Sequence, residues 1–170
     1  LKVTFPDAVV MGCTAEGCIG DGRELERQPA VSLQVASLPG VQVDAFHVSQ
    51  ADPDVLTWDG RVPEADTDPT FFVLGDPFSI DIRRVLSDLA SSHPGRPVLG
   101  GMASGGFRPN LNRLLGDGVT YEDGLVGVAL HGAIDVQAVV SQGCRPIGDP
   151  YVVTQARGNV IRGLKNRPAL

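Results

Sequence analysis

Apolar residues recur along this chain at two spacings, and the spacing assigns the elements. Val31, Leu33 and Val35 alternate with Ser32 and Gln34, and beyond Pro39-Gly40 the same period returns in Val41, Val43 and Ala45. Side chains of a strand point alternately to its two faces. Each run therefore predicts a half-buried strand, Val31 to Leu38 and Val41 to Val48, with the Pro-Gly turn joining them into an antiparallel hairpin. Leu125 to Leu130 and Ile134 to Val140 are almost continuously apolar, as expected of central strands covered on both faces. Shorter runs predict strands over Val3 to Met11, Thr70 to Leu74 and Pro97 to Gly100. Hairpins are expected around Asp117-Gly118 and Arg157-Gly158-Asn159.

One stretch carries the other period. Ile82, Val85, Leu86 and Leu89 stand at i, i+3, i+4 and i+7, one face of a helix that Ser79 can cap and His93-Pro94-Gly95 stops. A strand on either side of that helix predicts one parallel crossover, Thr70 to Gly100, inside a mostly antiparallel mixed sheet. The expected fold class is α+β, sheet-dominated with few helices, in a single domain over residues 1–170. The first residue is Leu and the opening stretch already reads as a strand, so a fragment lacking the start of its domain is expected. Gln50 to Pro69 holds six acidic residues and three prolines without period, the mark of a solvated connection rather than an acidic metal site.

Composition narrows the function. The 21 Gly and 13 Pro suit short strands and tight turns, while 42% hydrophobic and 20% charged residues are ordinary for a globular chain. The net charge of −6 argues against nucleic acid and anionic membranes as partners. No apolar run approaches the ~20 residues of a membrane span. Cys13, Cys18 and Cys144 are odd in number and lack CxxC spacing, so neither a disulfide framework nor a zinc site is suggested. No cofactor and no metal are expected, and the reading that fits these features is a cytoplasmic protein.

Three loops could carry chemistry: Gly12 to Gly17, Gly100 to Gly106 and Ser141 to Gly148. Glycine lets backbone N–H groups approach a ligand, Ser and Thr add hydroxyls, and Arg offers a planar fork for carboxylate or phosphate. The candidate ligand-binding residues are Gly12, Cys13, Thr14, Glu16, Gly101, Ser104, Gly105, Gln142, Gly143, Cys144 and Arg145, and Thr14, Ser104 and Arg145 are expected to line one pocket. Each loop alone could be only a tight turn. Neither GxGxxG nor a P-loop is present, so phosphoryl transfer has no support. A cysteine hydrolase or transferase, with Cys13 or Cys144 as nucleophile and His93 or His131 as base, ranks below the ligand-binding reading. Cysteine is most often an inert core residue, and both histidines are expected to be exposed in turns, with His47 bonded to backbone. No catalytic residue is therefore expected.

At these loops the sequence resembles the FIST N-terminal domain family of bacterial signalling proteins and some eukaryotic F-box proteins. The similar stretches are Gly12-Cys13-Thr14-Ala15-Glu16-Gly17, Gly100 to Gly106 and Val139 to Gly148, followed by Val153-Thr154-Gln155-Ala156 and Gly158-Asn159-Val160-Ile161. The resemblance implies a non-catalytic sensory domain in signal transduction that binds a small molecule, with amino acids or small carboxylates as the expected class. It implies as partners a FIST C-terminal domain and downstream signalling domains or proteins. A scaffold for protein interaction without a ligand is the alternative.

Overall fold

The computed structural model describes residues 3–49, 61–140 and 143–169. They fall into two compact units, Leu1–Ala138 and Val139–Leu170. In the first unit β1 (Met11–Cys13), β2 (Gly17–Gly20), β3 (Arg23–Glu26) and β4 (Val41–Val48) precede β5 (Thr70–Gly75). Helix α1 (Ile82–Ser92) carries the chain to β6 (Val98–Met102), and β7 (Leu114–Gly116), β8 (Val119–Tyr121) and β9 (Leu125–Gly132) follow.

The main sheet has the order β4-β9-β5-β6. Its centre is β9, buried from Leu125 to Leu130, because an apolar residue at nearly every position can satisfy both faces at once. β4 and β5 flank it antiparallel, and β6 runs parallel to β5, which is the expected crossover through α1. Alternation within β5 then divides the core. Phe71 and Val73 meet Leu125 and Ala129 of β9 and the α1 residues Val85 and Leu89 on one face. Leu74 points to the other, with Val126, Leu114, Met11 and Tyr121. Each fully buried Val, Leu or Phe contributes about 1.5–3 kcal/mol, so this double-faced layer is the main source of stability.

Several elements differ from the sequence pattern, and each has a physical reason. Val31 to Leu38 forms no strand; Val31, Leu33 and Val35 are 90%, 56% and 75% exposed. Alternation marks a segment able to bury one face, but it does not supply a partner. β4 instead pairs along its length with β9, from Val41 against Gly132 to Val48 against Leu125. Residues 133–140 are likewise outside any strand. The glycine-rich stretch after Thr14 contains a hairpin, β2–β3, closed by Asp21-Gly22 with both residues at positive φ (50° and 67°), the turn that an Asp-Gly pair favours. Asp81, not Ser79, caps α1: its Oδ1 accepts from the Arg83 and Arg84 amides at 3.1 and 3.3 Å. His93 is buried at 5% exposure rather than solvated; its Nε2 lies 2.9 Å from the Pro63 carbonyl oxygen and its ring packs edge-on against Phe71. His131 is half-buried and pairs with Asp44 at 2.9 Å.

The second unit is an antiparallel meander of β10 (Val153–Arg157), β11 (Val160–Leu164) and β12 (Arg167–Pro168), with the expected turn at Arg157-Gly158-Asn159 and an irregular register in β10. Among the described residues no helix is long and apolar enough to cross a membrane.

Candidate functional site

Parallel strands leave their carboxyl ends side by side, and the chain must turn away there with its backbone groups still to be satisfied. β5 ends in Gly75-Asp76-Pro77 and β6 in Met102-Ala103-Ser104, joined by an Ala103 N–H to Gly75 carbonyl bond of 2.8 Å. Asp76 is 1% exposed. A buried carboxylate is tolerated only with its oxygens occupied, and both are: Oδ1 accepts from Asn112 Nδ2 at 2.9 Å and Oδ2 from Ser79 Oγ at 2.6 Å. The Gly124 amide donates to Ser79 Oγ at 2.8 Å, and the Asp76 amide donates to the Gly124 carbonyl at 2.8 Å. Asp76 thus fixes the turns after β5 and before β9 together.

Asn112, also 1% exposed, carries this network outward to two of the three candidate loops. Its Oδ1 accepts from the Gly106 amide at 2.9 Å and from Thr14 Oγ1 at 3.4 Å. Thr14 Oγ1 in turn accepts from the Arg113 amide at 3.1 Å. Loops 12–17 and 100–106 then touch directly: the Ser104 amide donates to the Thr14 carbonyl at 3.1 Å, and the Glu16 amide donates to Ser104 Oγ at 3.0 Å. The glycines permit this approach. A Cβ on Gly106 would stand 2.7 Å from Asn112 Oδ1, and Gly105, at φ 92°, would push one to 3.3 Å from the Ala15 carbonyl.

The strand that leads into this junction, Val98 to Met102, also lines an apolar groove of about 210 Å³ between α1 and the sheet edge. Val73, Ile82, Leu86, Val98, Gly101 and Met102 line it. Gly101 lines it through its backbone: its register partner Leu74 points away from α1, and a Cβ built on Gly101, which meets nothing within 4 Å, leaves the sheet on that other face.

The expected site residues fall into separate groups. Thr14, Glu16, Ser104 and Gly105 meet at the loop junction, and Gly101 lines the adjoining groove. Gly12 and Cys13 are ladder residues of β1, opposite Leu115 and Leu114. Gly143, Cys144 and Arg145 are exposed residues of the second unit, and Gln142 lies outside the described residues. Asp76, Ser79 and Asn112 were not among the expected site residues. Gly75-Asp76-Pro77 reads as a strand end, and Asn112 stands in a run that shows only a coming hairpin.

The groups weighed for nucleophilic chemistry have other partners. His47 Nε2 lies 3.1 Å from the Asp123 carbonyl oxygen, and its ring stacks on Tyr121 at 3.7 Å. His93 and His131 bond to Pro63 and Asp44. Cys13 is exposed, and the partial burial of its thiol pushes the pKa up, which favours the neutral form over the nucleophilic thiolate. Among the described residues no group of three or more His, Cys, Asp or Glu is placed to hold a metal ion.

Comparison with known proteins follows the same lines. A family model described as the FIST N domain matches residues 1–167. An uncharacterized protein of Mycobacterium tuberculosis is 41% identical over 172 residues, covering 100% of this chain and 44% of the relative. An uncharacterized protein of Mycobacterium bovis is 36% identical over 172 residues, again covering 100% of this chain and 43% of its own length. The chain therefore spans less than half the length of these relatives. No solved structure matches it.

Proposed function

The chain belongs to the FIST N domain family, a family of sensory domains in signal transduction, and from that premise we propose that it binds a small molecule and catalyses no reaction on it. The ligand class is an amino acid or small carboxylate. It sits where the β5 and β6 ends, loops 12–17 and 100–106 and the α1 groove adjoin.

The observation that carries this reading is the network from Asp76 through Asn112 to Thr14 and Gly106, which holds together both loops, the second of which supplies Gly101 and Met102 to the groove. Ligands of open α/β sheets favour the carboxyl ends of parallel strands. At about 210 Å³ the groove is below the ~300–1,000 Å³ of pockets for drug-sized molecules, a size for a fragment of amino-acid scale. Its apolar wall suits a side chain or short hydrocarbon. The Ser104 hydroxyl and glycine amides supply donors for a carboxylate, and exposed Glu16 supplies negative charge for an ammonium group. Binding here would stiffen loops that belong to different parts of the sequence, a change that attached signalling domains could read.

A thermal-shift screen of amino acids and small carboxylates tests the proposal. A ligand at a hundredfold excess over its dissociation constant adds about 2.7 kcal/mol to stability and raises Tm. Leu86→Trp should abolish that rise by filling the groove, while leaving the unliganded Tm close to wild type, because Leu86 is 41% exposed at the groove wall. Ser104→Ala should weaken it. Absence of a shift with every compound, from a folded sample, would contradict ligand sensing.

A second reading, an interaction scaffold, is favoured by the exposed apolar alternation of Val31, Leu33 and Val35. It predicts no ligand-dependent shift and self-association that weakens in Val31→Ser with Val35→Ser, measured by light scattering.

A further inference from the structure

Charge is divided sharply along this sequence. Residues 139–170 hold five basic side chains, Arg145, Arg157, Arg162, Lys165 and Arg167, against the single acid Asp149, a net +4. The preceding 138 residues hold nine basic and nineteen acidic side chains, a net −10. A small basic unit in an acidic chain invites a negative partner, and the meander shows where one would sit.

A cavity of about 390 Å³ opens in this unit, and Thr154, Gln155, Arg162, Gly163, Asn166 and Arg167 line it. Its floor is Gly163, the buried residue among the described part of the meander. A Cβ there would stand 3.0 Å from Thr154 Oγ1 and 3.3 Å from Gln155 Cβ, so glycine lets β11 lie close against β10 at this point. The strand register brings the two arginines to one place. Leu164 is opposite Arg167, Gly163 is opposite Pro168, and the Ala169 amide bonds to the Arg162 carbonyl. Arg162 and Arg167 are therefore close neighbours on adjacent strands, although they are five positions apart in sequence.

Their guanidinium groups have no carboxylate partner among the described residues, as is also true of Arg23, Arg27, Arg83 and Arg108 in the first unit. Arg84, Arg96 and Arg113 of the first unit each pair with a carboxylate. Among the described residues Arg162 and Arg167 have neither an ion pair nor a side-chain hydrogen bond. Lys165, between them, is turned to the Tyr151 ring at 4.3 Å instead. Two like charges on neighbouring strands repel, and a shared anion relieves that repulsion. Guanidinium forks match the planar geometry of a carboxylate or the oxygens of a phosphate, and the Gln155 and Asn166 side chains can add amide donors.

We propose that the cavity between Arg162 and Arg167 is a binding site for a small oxyanion, a carboxylate or phosphate group, within residues 139–170. It does not depend on the groove at α1 and would stand if that reading failed. The occupant is a small molecule or the charged end of one, since the residues that line this half-open cavity come from three short strands and one turn.

Calorimetric titration of the full chain at constant ionic strength tests it, with inorganic phosphate in one arm and glutarate in the other. Saturable binding of at least one anion is expected, and the arm that binds identifies the group. Arg162→Gln and Arg167→Gln should each weaken it about tenfold or more, the loss expected when a charge-assisted pair is removed. Arg157→Gln removes the same charge from the same unit but does not line the cavity, and should leave affinity within about twofold. Absence of saturable heat with both anions would overturn the site. Equal weakening in Arg157→Gln would also overturn it, by reducing the effect to general attraction of a basic unit. Circular dichroism of each variant confirms that the strands persist.

Discussion

Asp76 and Asn112 are the residues on which the candidate site depends, and each is polar yet almost fully buried. Replacing Asn112 by Ala leaves Asp76 Oδ1 and the Gly106 amide without their partner. An unsatisfied buried group costs about 1–3 kcal/mol, so Asn112→Ala should lower urea-unfolding stability by that amount with an unchanged m-value. A loss below about 0.5 kcal/mol would show that water replaces the amide there. Cys13 makes the pH prediction. Burial holds its thiol above the ordinary 9.0, so the folded chain keeps that proton longer than the unfolded chain. Where the unfolded state binds fewer protons, stability falls as pH rises. The Cys13 contribution should therefore be complete below pH 9.0 and decline above it, and Cys13→Ser should lack that decline. Alkylation of Cys13 should accelerate with rising pH and level off only above 9.0, where the thiolate predominates.

Elements were legible in the sequence to the extent that local pattern decides them. The apolar run of β9, the amphipathic helix α1 and the parallel crossover all follow from residue spacing, because burial on one or two faces sets that spacing directly. Val31 to Leu38 shows the opposite case: its alternation is as clean as that of β4, but pairing is a property of two segments and β9 takes β4. The candidate site was legible only as glycine, Thr14 and Ser104 at strand ends. Asp76 and Asn112 join it through contacts 36 positions apart, which no local pattern records. At this scale Leu89→Ala, at 0% exposure under α1, should cost about 2–5 kcal/mol in chemical denaturation. Asp81→Ala removes the helix cap and should cost about 1 kcal/mol. Val35→Ser, at 75% exposure, should change monomer stability by less than about 0.5 kcal/mol.

For the molecule as a whole, the chain is a FIST N domain, and the proposed ligand site lies within its first unit. The first unit gathers two glycine-rich loops around a buried carboxylate network at the end of a parallel strand pair, beside an apolar groove. The second unit carries the basic charge and its own polar cavity. The relatives are more than twice as long as the stretch they share with this chain, so the readout of a bound ligand is a matter for the longer protein. The most direct measurement is an amide-resolved NMR titration of the chain with the amino acid or carboxylate that raises its Tm. Saturable shifts concentrated at Thr14, Glu16, Gly101, Ser104, Gly105 and Gly106, all lost in Leu86→Trp, are expected if the ligand sits at the groove and the loop junction. Shifts confined to residues away from those loops, or retained in that variant, would contradict that placement.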